Sequence, residues 1–473
     1  MERVIRKTRQ FRFRDPDTSE LRKLASKVAS PEDFRARHGR LLNLFKIKMI
    51  PGILDTLVQF YDPVCHCFTF LDFQLVPTLE EYSYWIGIPV SDKEPFNGLE
   101  PKLKPATIAA ALHLDTSAIK ANLTPKRGLT TEFLYQQARI HEEMGSYEAF
   151  YSLLALLIYG LILFPDVGGI VDENAIKIFI SKNPVPTLLA DTYHSIHDRT
   201  LKGQGTILCC TPLLYKWFIS HLPDNFEANP ENARWSQKIM SLTPADIVWF
   251  VPACNTETII DSCGGFGNVP LIGIRGGINY NPVLARRQFG YPMEKPHHLA
   301  VDHVFYLNQP DSADVRGMFI SSWRAIHRKT KGQLGRRSGL VRESYLQWVV
   351  ERAAKFGMPY QLQRTPSTST ASTPTLMTSL PITFETREEF QDQLTKLQLE
   401  SAAWKAKYQT SEREKDTLMG ILEQTTWEFH EKEREVAELK DLLKRKDAII
   451  DRMPGNRRRR REFFAGATSD SEE

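Results

Sequence analysis

Hydrophobic positions follow two different patterns along the chain. Up to about residue 361, short apolar runs of varying period alternate with turn signals, whereas residues 384–450 carry a heptad repeat. Near the start, "ASPEDF" places Ser30 as N-cap and Pro31 in the first turn of a helix predicted over residues 31–47. Its apolar face consists of Phe34, Leu41, Leu42 and Phe45.

A strand, a turn and a helix follow in "FTFLDFQLVPTLEEYSYWIGIP". Phe68 and Phe70 alternate as in a short strand. Thr78 and Glu81 have the spacing of a capping box for a helix that ends near Gly87. The most apolar run, residues 150–164, stops at a proline and is shorter than the roughly 20 residues that cross a bilayer. It predicts a buried core helix and no membrane segment.

The heptad repeat is continuous from Phe390 to Ile450. With Phe390 at d, 12 of the 18 a and d positions are apolar, which favours a coiled coil over a single surface helix. Polar residues at the remaining six positions weaken the seam and can set its register. The alternative is a helix that folds back onto the preceding domain.

These patterns predict a mainly α protein with short β elements. The expected order is a basic, partly ordered arm (1–30), an α+β globular module (31–361), a Ser/Thr/Pro linker (362–383), a long coiled-coil helix (384–450) and a disordered tail (451–473) with an arginine run and an acidic end. A coiled coil implies a partner, most simply a second copy of the chain.

Composition adds little to this picture. The formal net charge of +4 in 473 residues is too small to indicate nucleic-acid or membrane binding by bulk charge. The six cysteines form no C-x-x-C pair, and no histidines recur with acidic or cysteine ligands at zinc spacing. We therefore predict reduced thiols in a nuclear or cytoplasmic protein, and no catalytic, cofactor-binding or metal-binding residues.

Two basic segments are candidates for nuclear import or nucleic-acid contacts. The run Arg457, Arg458, Arg459, Arg460 and Arg461 is typical of such patches, and its alternative is a solvated charge run. The segment "HRKTKGQLGRR" lies between two predicted apolar helix faces, one with Val315, Phe319, Trp323 and Ile326 and one with Tyr345, Trp348 and Val349. Its candidate phosphate contacts are Arg328, Lys329, Lys331, Arg336 and Arg337, joined by the preceding Arg324. Here the alternative is a solvated loop.

The glycine-rich stretch "SCGGFGNVPLIGIRGGINYNP" has the composition of a catalytic or phosphate-binding loop. It lacks the lysine and hydroxyl that follow the last glycine of a P-loop, and Pro270 favours extended structure over a dinucleotide-binding helix. Cys263, with Asp261 nearby and His297, His298 or His303 downstream, is the alternative nucleophile of a hydrolase or transferase. We favour glycines that permit close backbone packing, with Arg275 and Asn279 tying loops together.

Three blocks of the sequence resemble a known family. "QFYDPVCHCFTFLDFQLVPTLEEYSYWIGIPV", "SCGGFGNVPLIGIRGGINYNPVLARRQFGYPM" and "WRAIHRKTKGQLGRRSGLVRESYLQWVVERAAKFGMP" are similar to plant proteins with a domain of unknown function, abundant in legumes and related to the plant mobile domain, also called aminotransferase-like. The resemblance spans roughly residues 34–359. It implies a transposable-element origin and links to silencing and genome maintenance, and it carries over no catalytic residues.

The expected function is therefore a non-enzymatic, element-derived nuclear module that interacts with other proteins and self-associates. Nuclear protein partners are expected, and nucleic acid is a further candidate partner. The alternative is an enzyme centred on Cys263.

We predict that residues 384–450 form a homo-oligomeric coiled coil. Pairing removes a Leu, Phe and Trp seam from water, and each buried Leu or Phe contributes about 1.5–3 kcal/mol. Replacing Leu418 and Leu422 with Asp places charges in the middle of the seam and should give monomers. Light scattering on the isolated segment is the measurement. A monomeric mass for the unsubstituted segment at tens of micromolar would contradict self-assembly.

Overall fold

The computed structural model describes residues 5–14, 17–124, 127–166, 168–254, 257–266, 268–296, 303–309 and 313–362, together with positions 432, 436, 439, 440, 443 and 446. The chain divides into two units, Met1–Ser367 and Thr368–Glu473. The architecture below is that of the first unit. The linker, the arginine run and most of the predicted coiled coil lie outside the described residues.

The first unit is mainly helical with short strands, in agreement with the predicted α+β class. Its helices are α1 Ser19–Ala25, α2 Pro31–His38, α3 Ile53–Leu57, α4 Leu79–Ile86, α5 Pro105–Leu112, α6 Thr116–Asn122, α7 Thr131–Glu143, α8 Tyr147–Ile158, α9 Glu173–Ser181, α10 Val185–Lys202, α11 Thr211–Ser220, α12 Trp235–Met240, α13 Ala313–Ser322, α14 Lys331–Leu334 and α15 Glu343–Phe356. Short 3-10 segments include Leu41–Lys46, Val58–Phe60 and Pro282–Phe289.

The strands form five small sheets. They are β1 Gln10–Phe13, β2 Tyr61–Asp62, β3 Cys67–Thr69, β4 Gln74–Leu75, β5 Leu123–Thr124, β6 Gly128–Thr130, β7 Ile170–Asp172, β8 Gln204–Ile207, β9 Thr258–Cys263, β10 Val269–Ile272, β11 Gly276–Tyr280, β12 Phe305–Tyr306 and β13 Ile326–Thr330. The sheet orders are β1-β8, β2-β3-β4, β5-β6-β7, β10-β11-β12 and β13-β9. Only the β1-β8 pair is parallel among these described strands.

Helix α10 lies at the centre of the unit. It packs against β8, β10, β11 and α4, and nearly all of its residues are buried. A side chain at Gly276 of β11 would place its Cβ 2.1 Å from the carbonyl oxygen of Phe305 and 2.3 Å from His194 Nε2 of α10. Glycine is therefore required here for close packing of strands on the helix, which confirms the structural interpretation at Gly276; Gly265 of the same stretch has open space around it.

Helix α8 is the predicted core helix. Residues Ala149–Ile158 are buried, and the helix continues into a π-helical turn, Tyr159–Leu163. No helix among the described residues is long and apolar enough to span a bilayer. The predicted helix at 31–47 is shorter than expected: Ser30 caps it, but it ends at His38 because Gly39 adopts a φ of 70°. The chain then continues as the 3-10 segment Leu41–Lys46.

Helix α4 is capped as predicted. Thr78 Oγ1 accepts the backbone N–H of Glu81 at 3.2 Å, and Gly87 ends the helix in the left-handed conformation. Strand β3 includes Phe68, as predicted, whereas Phe70 follows the strand. The predicted helical face at 315–326 is only partly helical. Val315 and Phe319 lie on α13, Trp323 lies in a turn, and Ile326 begins β13.

Glu80 and Glu81, which are adjacent on α4, are both buried, and Glu80 has a shifted pKa. Glu80 Oε1 accepts the backbone N–H of Ile260 at 2.7 Å. Burial raises the pKa of Glu80 to about 7, from its ordinary value of 4.5. The folded protein therefore retains a proton on Glu80 over a pH range in which the unfolded chain has released it.

This carboxyl predicts a pH-dependent effect of Glu80→Gln. The raised pKa contributes to the free energy of unfolding. This contribution is fully present below pH 4.5 and is lost as the pH rises through about 7. An amide stays neutral throughout, so the variant should gain free energy of unfolding relative to the natural chain between pH 5 and pH 8, on the order of 3 kcal/mol at most. Urea unfolding of both proteins at the two pH values is the measurement. A difference that does not change with pH would contradict the assignment.

Candidate functional site

The basic segment predicted from the sequence is largely neutralised by nearby acids. It is not a loop: residues 326–330 form β13, which pairs antiparallel with β9, and α14 follows. Arg324, Arg328, Lys329 and Lys331 each contact a carboxylate, on Glu94 (2.7 Å), Asp92 (2.6 Å), Asp261 (2.8 Å) and Glu257 (3.5 Å) respectively. These pairs reduce the positive charge that the segment can offer to phosphates.

The last two residues of the segment differ from the others. Arg336 is exposed. The Arg337 guanidinium lies 4.5 Å from the ring centroid of Phe250 and 5.3 Å from that of Tyr291, so it packs on aromatic rings. The arginines 457–461 lie outside the described residues, and their contacts stay a prediction.

Cys263 has the environment of an inert thiol. It is fully buried at the end of β9, and its burial raises the pKa of the thiol to about 12. A thiol with this pKa is protonated at neutral pH, whereas a nucleophilic cysteine needs a lowered pKa. His297 and His298 lie outside the described residues, and His303 packs edge-on against the ring of Phe266.

A second group of cations surrounds a cleft that the sequence patterns did not indicate. We call it the basic cleft, and it lies between the Leu41–Lys46 segment, the end of α4 and helix α11. It has two lobes of about 610 and 530 Å³. Arg35, Arg40, Asn43 and Lys46 line both lobes, so the two lobes adjoin each other.

Among the described residues, the cations of the basic cleft lack acidic partners. Six basic side chains line it: Arg22, Arg35, Arg40, Lys46, Lys48 and Lys216. Within the described part of the chain, none of the six lies within 4.0 Å of a carboxylate oxygen. The acids that line the cleft there are Glu32 and Glu227, and the Glu227 carboxylate accepts a hydrogen bond from the Tyr215 hydroxyl. The cleft therefore has an excess of positive charge.

Aromatic rings alternate with these cations. The Arg40 guanidinium lies 4.8 Å from the centroid of the Tyr84 ring, and the Lys216 ammonium lies 4.8 Å from that of Trp85. In the second lobe, the Arg22 guanidinium lies 5.6 Å from the Phe45 ring centroid. Phe45, Tyr84 and Trp85 are half-buried as whole residues, so each keeps part of its surface exposed beside its cation.

Two glycines bring the walls of the cleft together. A Cβ at Gly39 would lie 2.5 Å from the carbonyl oxygen of Ile86, and one at Gly87 would lie 2.6 Å from Arg40 Cγ. Because both residues lack a Cβ atom, the Arg40 backbone N–H can donate to the Ile86 carbonyl oxygen at 2.6 Å. Arg40 is thereby held next to the end of α4, where Tyr84 and Trp85 lie.

A buried network fixes the opposite wall. Glu81 Oε2 of α4 accepts a hydrogen bond from Trp217 Nε1 of α11 at 3.0 Å, and Glu81 Oε1 lies 2.8 Å from His221 Nε2. Trp217 follows Lys216 directly, so the network sets the position of Lys216 over Trp85.

The cleft has no signature in the sequence because its residues come from four distant segments. Lys46 and Lys48 form a short basic pair, but Tyr84, Trp85 and Lys216 are separated from them by tens to more than a hundred residues. Single basic residues beside aromatic ones are common on protein surfaces. The distinguishing feature, the lack of acidic partners, is a property of the folded chain.

The environment of Cys263 predicts slow and unselective thiol labelling. In the folded full-length protein at pH 7.5, Cys263 should react with iodoacetamide no faster than the other five cysteines, because all six are buried. The measurement is the labelling rate of each cysteine, obtained by peptide mass spectrometry after different reaction times. Selective, fast modification of Cys263 would favour the alternative of a cysteine-dependent enzyme.

Comparison with known proteins confirms one part of the resemblance, namely that the chain carries a domain of unknown function. Searches of curated proteins and of solved structures find no match. A family described as "Domain of unknown function (DUF7745)" matches residues 21–354, which is more than half of the chain and includes every residue of the basic cleft. The chain therefore belongs to the DUF7745 domain family.

Proposed function

We propose that this protein is a non-enzymatic interaction module that binds an anionic partner in the basic cleft and self-associates through residues 384–450. The observation that carries the proposal is the set of six cations without acidic partners among the described residues. Unpaired charges lining a concave site attract and hold an oppositely charged ligand more effectively than charges already paired with carboxylates.

The proposal of a non-enzymatic role is supported by the state of Cys263. This residue is the nucleophile of the alternative, enzymatic function, and its buried, protonated thiol has neither the exposure nor the lowered pKa that this role needs.

Self-association is supported by the described positions of the second unit. Val436, Leu439 and Leu443 occupy consecutive a and d positions of the heptad register, and all three are helical. Their side chains are 49, 60 and 61 % exposed. Exposed apolar residues at this spacing gain stability when a second helix covers them.

A nuclear location and a link to transposon silencing or genome maintenance belong to the same proposal. The arginines 457–461 support nuclear import. The similarity of the three sequence blocks to relatives of the plant mobile domain supports a transposable-element origin and nuclear protein partners. Cytoplasmic residence is the alternative location.

The test of the cleft uses inorganic polyphosphate, a polyanion without bases or side chains. Isothermal titration is performed on full-length protein in which residues 457–461 are replaced by Gln, so that the arginine run does not contribute. The triple variant Arg35→Gln, Lys46→Gln and Lys216→Gln should bind polyphosphate about tenfold more weakly or worse, since three unpaired cations are lost.

The matched control removes the same charge from the neutralised basic segment. Arg324→Gln, Arg328→Gln and Lys331→Gln should change the dissociation constant by no more than about twofold, because these cations are already paired. Equal losses in the two triple variants would show that net charge alone governs binding. That result, or a chain that binds no polyphosphate, would overturn the proposed cleft.

A further inference from the structure

We propose that the anionic ligand of the basic cleft is single-stranded nucleic acid, with phosphates on the cations and bases stacked on Tyr84, Trp85 and Phe45. This inference rests on the proposed function, in which the cleft holds an anion. It adds the chemical class of the ligand and the role of the aromatic side chains.

The groove alternates cations with aromatic rings, as a binding site for a single strand requires. Arg22 with Phe45, Arg40 with Tyr84 and Lys216 with Trp85 place a cation next to an aromatic ring at three points. A single-stranded nucleic acid carries one phosphate and one planar base in each repeat. Proteins that bind such strands combine a positive groove with rings on which successive bases stack.

The shape of the groove favours an extended ligand over a compact one. Each lobe has the volume of a small-molecule site, which is about 300–1,000 Å³. The lobes share Arg35, Arg40 and Lys46, so a chain that occupies both lobes keeps contact with the same cations. The exposed amide of Asn43 also lines both lobes and can donate to, or accept from, a base edge or a sugar hydroxyl.

Other polyanions fit the cleft less completely. The bases of duplex DNA are stacked inside the helix and cannot reach half-buried rings in a concave groove. An acidic or phosphorylated peptide supplies charge but no planar group for each ring. The cations alone would suit any of these ligands, and the rings select single strands among them.

The binding experiment compares single strands with other polyanions. Fluorescence anisotropy is measured with labelled oligo-dT and oligo-rU of about 12 nucleotides, within the range that one binding module covers. A duplex of equal length, polyglutamate and polyphosphate are the competitors. The protein is again the full-length chain with residues 457–461 replaced by Gln. Comparing the dT and rU arms shows whether the strand is DNA or RNA.

The triple variant Arg35→Gln, Lys46→Gln and Lys216→Gln tests the phosphate contacts. It should bind either oligonucleotide about tenfold more weakly or worse, and the slope of log affinity against log salt concentration should fall by about 2, which is roughly 0.7 for each lost contact. The control triple variant Arg324→Gln, Arg328→Gln and Lys331→Gln should retain the slope of the parent.

Trp85→Leu tests stacking separately from charge. Loss of one stacked base should weaken oligonucleotide binding by about 5- to 100-fold, whereas polyphosphate binding should weaken much less, because polyphosphate has no base to stack on the ring. Trp85→Phe keeps a ring and should restore most of the affinity. Unchanged thermal unfolding of each variant shows that the fold is intact, and Tyr84→Leu gives a second measurement if Trp85→Leu does not fold.

The outcomes separate this inference from the proposed function. If polyphosphate binding depends on the cleft cations but the ring substitutions have no effect on oligonucleotides, the inference is overturned and the proposed function stands. Tighter binding of duplex or polyglutamate than of single strands also overturns the inference and identifies another anionic partner. If no polyanion binds, both proposals fall.

Discussion

The buried carboxyl group of Glu81 joins three segments of the first unit through hydrogen bonds. It is buried on α4 and makes polar contacts to Thr78 Oγ1 (2.8 Å), Trp217 Nε1 (3.0 Å), His221 Nε2 (2.8 Å) and Gln288 Nε2 (3.1 Å). A buried carboxyl group is tolerated only when its hydrogen-bonding capacity is satisfied in this way. The contacts join α4 to α11 and to the 3-10 segment Pro282–Phe289. They therefore hold the wall that carries Tyr84 and Trp85 against the helix that carries Lys216.

A second buried pair, Asp62 with Arg352 (2.6 Å), ties β2 to α15 across 290 residues of sequence.

The two basic surfaces of the first unit differ in how many of their cations are paired with acids. The segment that contains Arg328 and Lys331 is denser in cations along the sequence, yet acids from β9, from residue 257 and from residues 92–94 lie against it. The basic cleft collects its cations from distant segments and has few acids nearby. The positive potential available to a ligand is set by this balance and not by the number of basic residues in a stretch.

Elements with strong local signals were predictable from the sequence. Thr78 with Glu81 and Gly87 defined both ends of α4, and the long apolar run defined the buried helix α8. Errors arose where a local signal competed with tertiary packing. The predicted helix beyond His38 is replaced by a turn and a 3-10 segment because Gly39 must approach the end of α4. Ile326 matched a helical face, but it pairs with β9 because an edge of that strand is available to it.

Local sequence signals were sufficient to predict the class of the first unit, the capped and the most apolar helices, and the close packing at Gly276. These features depend on hydrophobic period, caps and backbone freedom, which are properties of neighbouring residues. The candidate site was decided only by the tertiary structure. Arg40, Trp85 and Lys216 become neighbours through the contacts of Gly39, Gly87 and Glu81, and the two cations remain without a carboxylate partner among the described residues. Whether a cation is paired or available to a ligand depends on which distant acids the fold brings within reach, because Coulomb interactions act through space and not along the chain.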